Sequence, residues 1–179
     1  LEKSRLEVSF KLEADRMRNL HLLPEELKKE LEVVTEERRM RTDDQPRAKM
    51  DEQFRTVAFV NSPYKNPVIG WPADIAAYQD EDLQAWYQRW YAPNNATLVV
   101  VGDVNHQQVF GWAKQTYGAI PARALPARKQ YEEPVQTGQR QLEVKAPADL
   151  PLLVMGWKAP RLNDPRKDMD PYALEMLAQ

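Results

Sequence analysis

The stretch E-L-E-V-V-T-E-E-R-R-M-R, Glu30 to Arg41, reads as a helix that carries carboxylates where apolar residues belong. At roughly 100° per residue, Leu27, Leu31 and Val34 fall on one apolar arc, with Val33 and Met40 on a second arc beside it. Glu30 and Glu37 project between these arcs. Two helical turns separate them, so one carboxylate stands about 10 Å above the other on the same face. Glu32, Glu36 and Arg39 turn to the opposite, polar side with Lys28 and Lys29, which separates Glu37 from its neighbour Glu36. An ionised carboxylate on a face that is being buried is costly unless it is paired, hydrogen-bonded or bound to a metal. Helical geometry alone leaves two readings of Glu37 open: a site carboxylate, or a boundary residue paired with an arginine of a neighbouring helix.

Towards the N-terminus, Leu6, Phe10, Met17 and Leu20 recur at helical spacing within Leu1 to Leu22, and Ala14 leaves room for a close approach. Glu13 with Arg16 reads as a structural salt bridge. Leu23-Pro24 ends this amphipathic helix, and Pro24 suits the first turn of the next, which runs to about Thr42. A turn at Thr42 to Pro46 leads to a third helix from about Arg47 to Phe59.

Beyond it, N-S-P-Y-K-N-P-V-I-G-W-P (Asn61 to Pro72) is too rich in proline for a regular element and predicts an ordered loop. Asp80 to Tyr91 is helical, with Leu83, Trp86 and Trp90 on a core face. A-T-L-V-V-V (Ala96 to Val101) has the apolar, β-branched character of a strand buried on both faces. Asn105 caps a helix to about Tyr117. Residues 119–138 are punctuated by proline and read as an extended linker. Arg140 to Lys145 and Leu152 to Trp157 predict two strands paired antiparallel across a turn at Ala146 to Asp149, and Asp170-Pro171 starts a last helix. The expected fold class is therefore α+β, with helices packed on a mostly antiparallel sheet. The chain opens at Leu1 inside a helical pattern and stops at Gln179 without a cap, so both ends read as cut.

With 179 residues, 42% of them hydrophobic and 29% charged, the chain can build a core and is not a disordered tail. No apolar run approaches the roughly 20 residues of a membrane-spanning helix. A net charge of −2 with interspersed signs leaves no electrostatic footprint for nucleic acid. Cysteine is absent, which excludes disulfides, thiolate zinc sites and thiol nucleophiles.

Several stretches together carry a family resemblance: L-E-A-D-R-M-R-N-L (Leu12 to Leu20), E-L-E-V-V-T-E-E-R-R-M-R, D-D-Q-P-R-A, S-P-Y-K-N-P-V-I-G-W (Ser62 to Trp71) and W-Y-A-P-N-N-A-T-L-V-V-V-G-D-V (Trp90 to Val104). Their order resembles that of the pitrilysin/insulinase zinc peptidases, in particular the bacterial, processing-peptidase-like type. The resemblance covers nearly the whole chain. It implies an inverzincin, in which an H-x-x-E-H helix supplies two histidine ligands and the general base, and a glutamate on a later helix supplies the third ligand. Glu37 matches that third ligand, and Glu30, seven residues earlier, matches the acid that supports the ligand set from outside.

His21 and His106 are the only histidines, and neither lies in an H-x-x-E-H pattern. Both read as surface or helix-terminus residues. The base and the other ligands are expected upstream of Leu1, so Zn2+ belongs to an intact parent and the chain by itself is expected to be inactive. The resemblance implies residues 1–118 as the later part of the zinc-binding lobe running into the next, 119–138 as linker, and 139–179 as an incomplete second lobe. It implies a zinc endopeptidase acting on peptides or unfolded chains, in a periplasmic or otherwise extracytoplasmic location, paired as a homodimer or with a family subunit. The alternative is a non-catalytic scaffold subunit that lends a wall to a two-subunit chamber. Because the family's sheet packs on the first two helices and its missing strands are expected upstream, Leu6, Phe10, Met17, Leu27 and Val34 are at risk of exposure here, and a copy of the chain or a neighbouring molecule is expected to cover them.

Overall fold

The computed structural model describes residues 2–178; Leu1 and Gln179, where the sequence suggests cut ends, lie outside the described residues. Helix α1 (Leu6–Asn19) follows a short 3-10 turn (Lys3–Arg5) whose first N–H groups are capped by the Glu2 carboxylate, which accepts from Ser4 N. Proline opens the next three helices, α2 (Pro24–Arg38), α3 (Pro46–Ala58) and α4 (Pro72–Ala77), where its missing N–H costs nothing. Between α2 and α3 the chain widens into a π-helical turn, Arg39–Asp43. Helix α5 (Asp80–Trp90) starts in a capping box between Gln79 and Asp82. Helix α6 (His106–Gln115) is capped as expected by Asn105, whose side chain accepts from Gln107 and Gln108 N–H, and α7 (Asp170–Leu177) closes the described chain. The sequence reading places only Pro72 of α4 at the end of the loop and assigns no element to residues 73–79, because so short a helix shows no periodicity.

The expected sheet is not formed. Among the described residues there is no strand, and the fold is helical rather than α+β. A strand requires a neighbour to satisfy its N–H and C=O groups, and composition cannot supply one. Ala96 to Val101 is unpaired, with Val99 74% and Val101 92% exposed. Arg140 to Lys145 and Leu152 to Trp157 do not pair across Ala146 to Asp149 either. Each docks on the end of α3 instead. Arg140 donates to the Val57 carbonyl (2.8 Å), and Gly156 lies so close to the Phe54 ring that a Cβ there would be 2.9 Å from it.

Burial concentrates at two places. Phe10, 3% exposed, packs between Trp112 (ring centroids 5.8 Å apart) and Tyr117 (6.2 Å), while Ala14 allows the approach of α1 to α6 and Val109 fills the contact. The expectation that Phe10 would risk exposure is thus corrected, because α6 supplies the cover; Leu6, Met17, Leu27 and Val34 are half-buried. Tyr87 of α5 caps the end of α1, donating to the Arg16 carbonyl (2.8 Å) and accepting from Leu20 N–H (3.2 Å). The second place lies between α2, α3 and α4, where Ile75 and Arg38 are buried.

The segment after Ala119 has no helix or strand until α7, but it is tied down. Asn94 exchanges two hydrogen bonds with the backbone of Arg123 (2.9 and 3.1 Å). The Glu133 carboxylate accepts from the N–H groups of Val60 (2.7 Å), Asn61 (2.9 Å) and Ser62 (2.8 Å), just past α3. Those backbone donors, Val60 first, hold its pKa down at about 2, with Lys158 assisting.

Two outcomes follow from this packing. Phe10→Ala should cost about 3 kcal/mol in urea unfolding, as large-to-small changes at buried aromatics do, whereas Leu12→Ala, at a residue 65% exposed, should stay within about 0.5 kcal/mol; equal losses would contradict the cluster. Glu133, depressed from 4.5, contributes stability that is present above that value and lost as pH falls towards about 2. The stability gap between the native chain and Glu133→Gln should therefore narrow between about pH 6 and about pH 2.5, and a constant gap would count against the anchor.

Candidate functional site

Helix α2 presents its carboxylates as its period dictates. Glu36 faces out and is held by Arg39, whose Nε donates to it (2.9 Å); these hydrogen bonds keep its pKa low. Glu37 is half-buried and meets Arg41 at 2.8 Å, and Glu30 stands exposed two turns away. The arginine beside Glu37 therefore comes from the continuation of its own helix, not from a neighbouring one. That pair is open to water, with Arg41 76% exposed, and such i,i+4 pairs contribute only about 0.3–0.5 kcal/mol. So weak a contact leaves the Glu37 carboxylate available for another partner. The arc around it is uncovered: Val33 and Met40 are each 58% exposed.

The buried partnership belongs to Arg38, one residue on. Its guanidinium forks onto both oxygens of Glu52 on α3 (2.8 and 2.9 Å), donates to the Gly70 carbonyl (2.9 Å), and lies 3.4 Å from Asp43. The arginine side chain is 5% exposed and that of Glu52 is 8% exposed. The hydrogen bonds that Arg38 donates to Glu52 raise its pKa against the cost of burial. Gly70 adopts a positive φ of 96°, and a Cβ there would press on Ile75 at 3.3 Å. Only glycine takes this backbone conformation without strain. The proline-rich loop thus delivers a carbonyl to Arg38. The sequence reading passed over Arg38, although Leu27, Leu31, Val34 and Arg38 share a 4-3-4 spacing that puts an arginine on the inward stripe.

Between the end of α2, α3 and the loop lies an open groove of about 470 Å³, bordered by Glu37, Arg41, Arg55, Lys65 and Val68. His21 borders a different depression, with Arg18, Tyr87 and Arg123, and His106 opens α6 with its ring edge-on to Phe110 (6.3 Å). The structure does not bring either histidine into a cluster with Glu37: among the described residues, no group of three His, Cys, Asp or Glu could hold a metal ion. A carboxylate with one weak, exposed partner fits the role of a single zinc ligand, and catalytic zinc needs three protein ligands with an open position. Among the described residues, no helix is long and apolar enough to cross a membrane.

Comparison with known proteins identifies relatives of the chain. The family model described as the Peptidase M16 inactive domain matches residues 78–179. The zinc protease PqqE of Helicobacter pylori is 34% identical over 99% of this chain, which spans 40% of that protein's length. A crystal structure of a protease from Helicobacter pylori, 34% identical, superposes with a TM-score of 0.69 over 74% of this chain and 32% of its own. The first half of the periplasmic protease PqqL from Escherichia coli shares the fold, with a TM-score of 0.66 at 23% identity over 75% of this chain and 29% of its own. The chain thus spans well under half of these relatives. The carboxylate helix, the ordered motifs around it and the matched family domain lead to one conclusion: this chain belongs to the M16 peptidase family, the pitrilysin/insulinase group.

Proposed function

We propose that the chain is part of a zinc endopeptidase that hydrolyses peptide bonds in peptides or unfolded chains, and that Glu37 gives the metal one of its ligands. The observation that carries this reading is the asymmetry of α2. Glu36 is tied off by Arg39 on the polar side, while Glu37 keeps only a weak, exposed partner beside the uncovered Val33 and Met40. Zinc, when bound, polarises the scissile carbonyl and lowers the pKa of its water. The contribution of this chain is to hold the Glu37 carboxylate at the edge of the groove, with Glu30 on the same face to support the ligand set. The histidine ligands and the general base come from outside these residues, so the chain alone is inactive.

In the same reading, residues 1–118 belong to the later part of the zinc-binding lobe and the start of the next, 119–138 connect, and 139–179 belong to the second lobe. Pairing with an identical or related half completes the chamber, and the periplasm is the compartment, in line with the description of the Escherichia coli relative. A second reading, a non-catalytic subunit that lends a wall to the chamber, is favoured by one observation: the matched family domain is described as inactive.

The test compares carboxamide variants in the full-length protein. Glu37→Gln should lower zinc affinity and peptide hydrolysis together, and Glu36→Gln should change little. Glu30→Gln should cost about 10- to 100-fold, as losing a supporting partner of a metal ligand does. Loss of zinc on Glu36→Gln with retention on Glu37→Gln would show that the helix register is wrong. Zinc-free, inactive protein before any substitution would favour the scaffold.

A further inference from the structure

We infer that Arg38 is a positioning residue for Glu37, and that Glu52 and the Gly70 carbonyl hold it in that role; the inference rests on Glu37 being a zinc ligand. The clamp is a poor investment for stability alone. Removing two charges from water costs several kcal/mol per ion, and well-packed apolar side chains stabilise such a site at least as well. Arg38 even keeps its Nε buried without a partner. What the arrangement does supply is orientation: a planar fork on two carboxylate oxygens, with a third bond from a separate loop, allows the arginine one azimuth about the α2 axis.

Glu37 is covalently adjacent, so fixing the azimuth of Arg38 fixes that of Glu37 about 100° away. The magnitudes make this matter. A carboxylate about 6 Å from the helix axis moves roughly 2 Å if the helix turns by 20°, while metal–ligand distances tolerate about 0.2 Å. The α-helical ladder gives way to the π turn directly after Arg38, with Asp44 N–H bonded to the Arg39 carbonyl (2.8 Å), and the Val33 and Met40 arc is uncovered. The clamp grips the helix from α3 and from the loop before α4, the same two elements that border the groove at which Glu37 stands.

The experiment uses the full-length protein and measures zinc affinity by chelator competition alongside thermal unfolding. Arg38→Lys keeps the charge and loses the fork; Glu52→Gln keeps the shape and loses the charge; Gly70→Ala disturbs the third bond without touching either. Each should weaken zinc binding about 10- to 100-fold, the usual effect of removing a partner that orients a ligand. Phe10→Leu, in the distant aromatic cluster, should lower the unfolding temperature and leave zinc affinity as it was. If Arg38→Lys does not fold, Glu52→Gln and Gly70→Ala decide. Folded clamp variants with native zinc affinity, in a protein whose Glu37→Gln variant has lost zinc, would overturn the inference and leave the ligand assignment standing. An equal loss of zinc affinity in Phe10→Leu would reduce Arg38 to a general structural role and overturn it as well. Native zinc affinity in Glu37→Gln would remove the ligand assignment, and this inference with it.

Discussion

A single guanidinium ties α2, α3 and the loop before α4 into one body. Arg38 carries three good hydrogen bonds into a place that water does not reach: two end on a helix side chain, and one on a carbonyl that only a glycine backbone can aim. Removing one partner of a buried pair leaves a bare charge, a loss of about 3–5 kcal/mol, so the elements around it hold or fail together. The S-P-Y-K-N-P-V-I-G-W loop gains its order from this contact. Its prolines limit the chain, Gly70 turns it, and Ile75 beyond it is buried as α4 settles beside α2.

The rest of the molecule is held by polar contacts to helix ends as much as by apolar cover. Tyr87 satisfies groups at the end of α1, Arg140 takes a carbonyl at the end of α3, and Glu133 collects the three N–H groups that follow. Lys158 then lies over Phe59, 4.0 Å from the ring centroid, beside the same carboxylate. Through these contacts a segment with no regular structure of its own is fixed to the end of the helix that also carries Glu52.

Much of this was legible in the sequence, and the limits have physical causes. The starts of α2 and α6 were readable because Pro24 and Asn105 act locally, and the opposite sides taken by Glu36 and Glu37 followed from the 3.6-residue period. Family membership was readable because several motifs occur in a fixed order. That no strand forms among the described residues was not legible, since Val99 and Val101 have the character of strand residues but pairing depends on a second segment that no local pattern reveals. Arg38 was missed for a related reason. An arginine on an inward stripe is informative only if its partner is known, and Glu52 lies on another helix. The cover that α6 gives Phe10 is likewise a long-range fact.

The unpaired Ala96 to Val101 segment has a consequence for solution behaviour. Six uncharged residues, three of them consecutive valines with open backbone groups, are the kind of sequence that recruits its own copies into growing cross-β stacks. Pro93 on one side and Asp103 on the other act as gatekeepers, one unable to donate a ladder bond and the other adding charge. Between them the exposed valines favour self-association as the concentration of the chain rises.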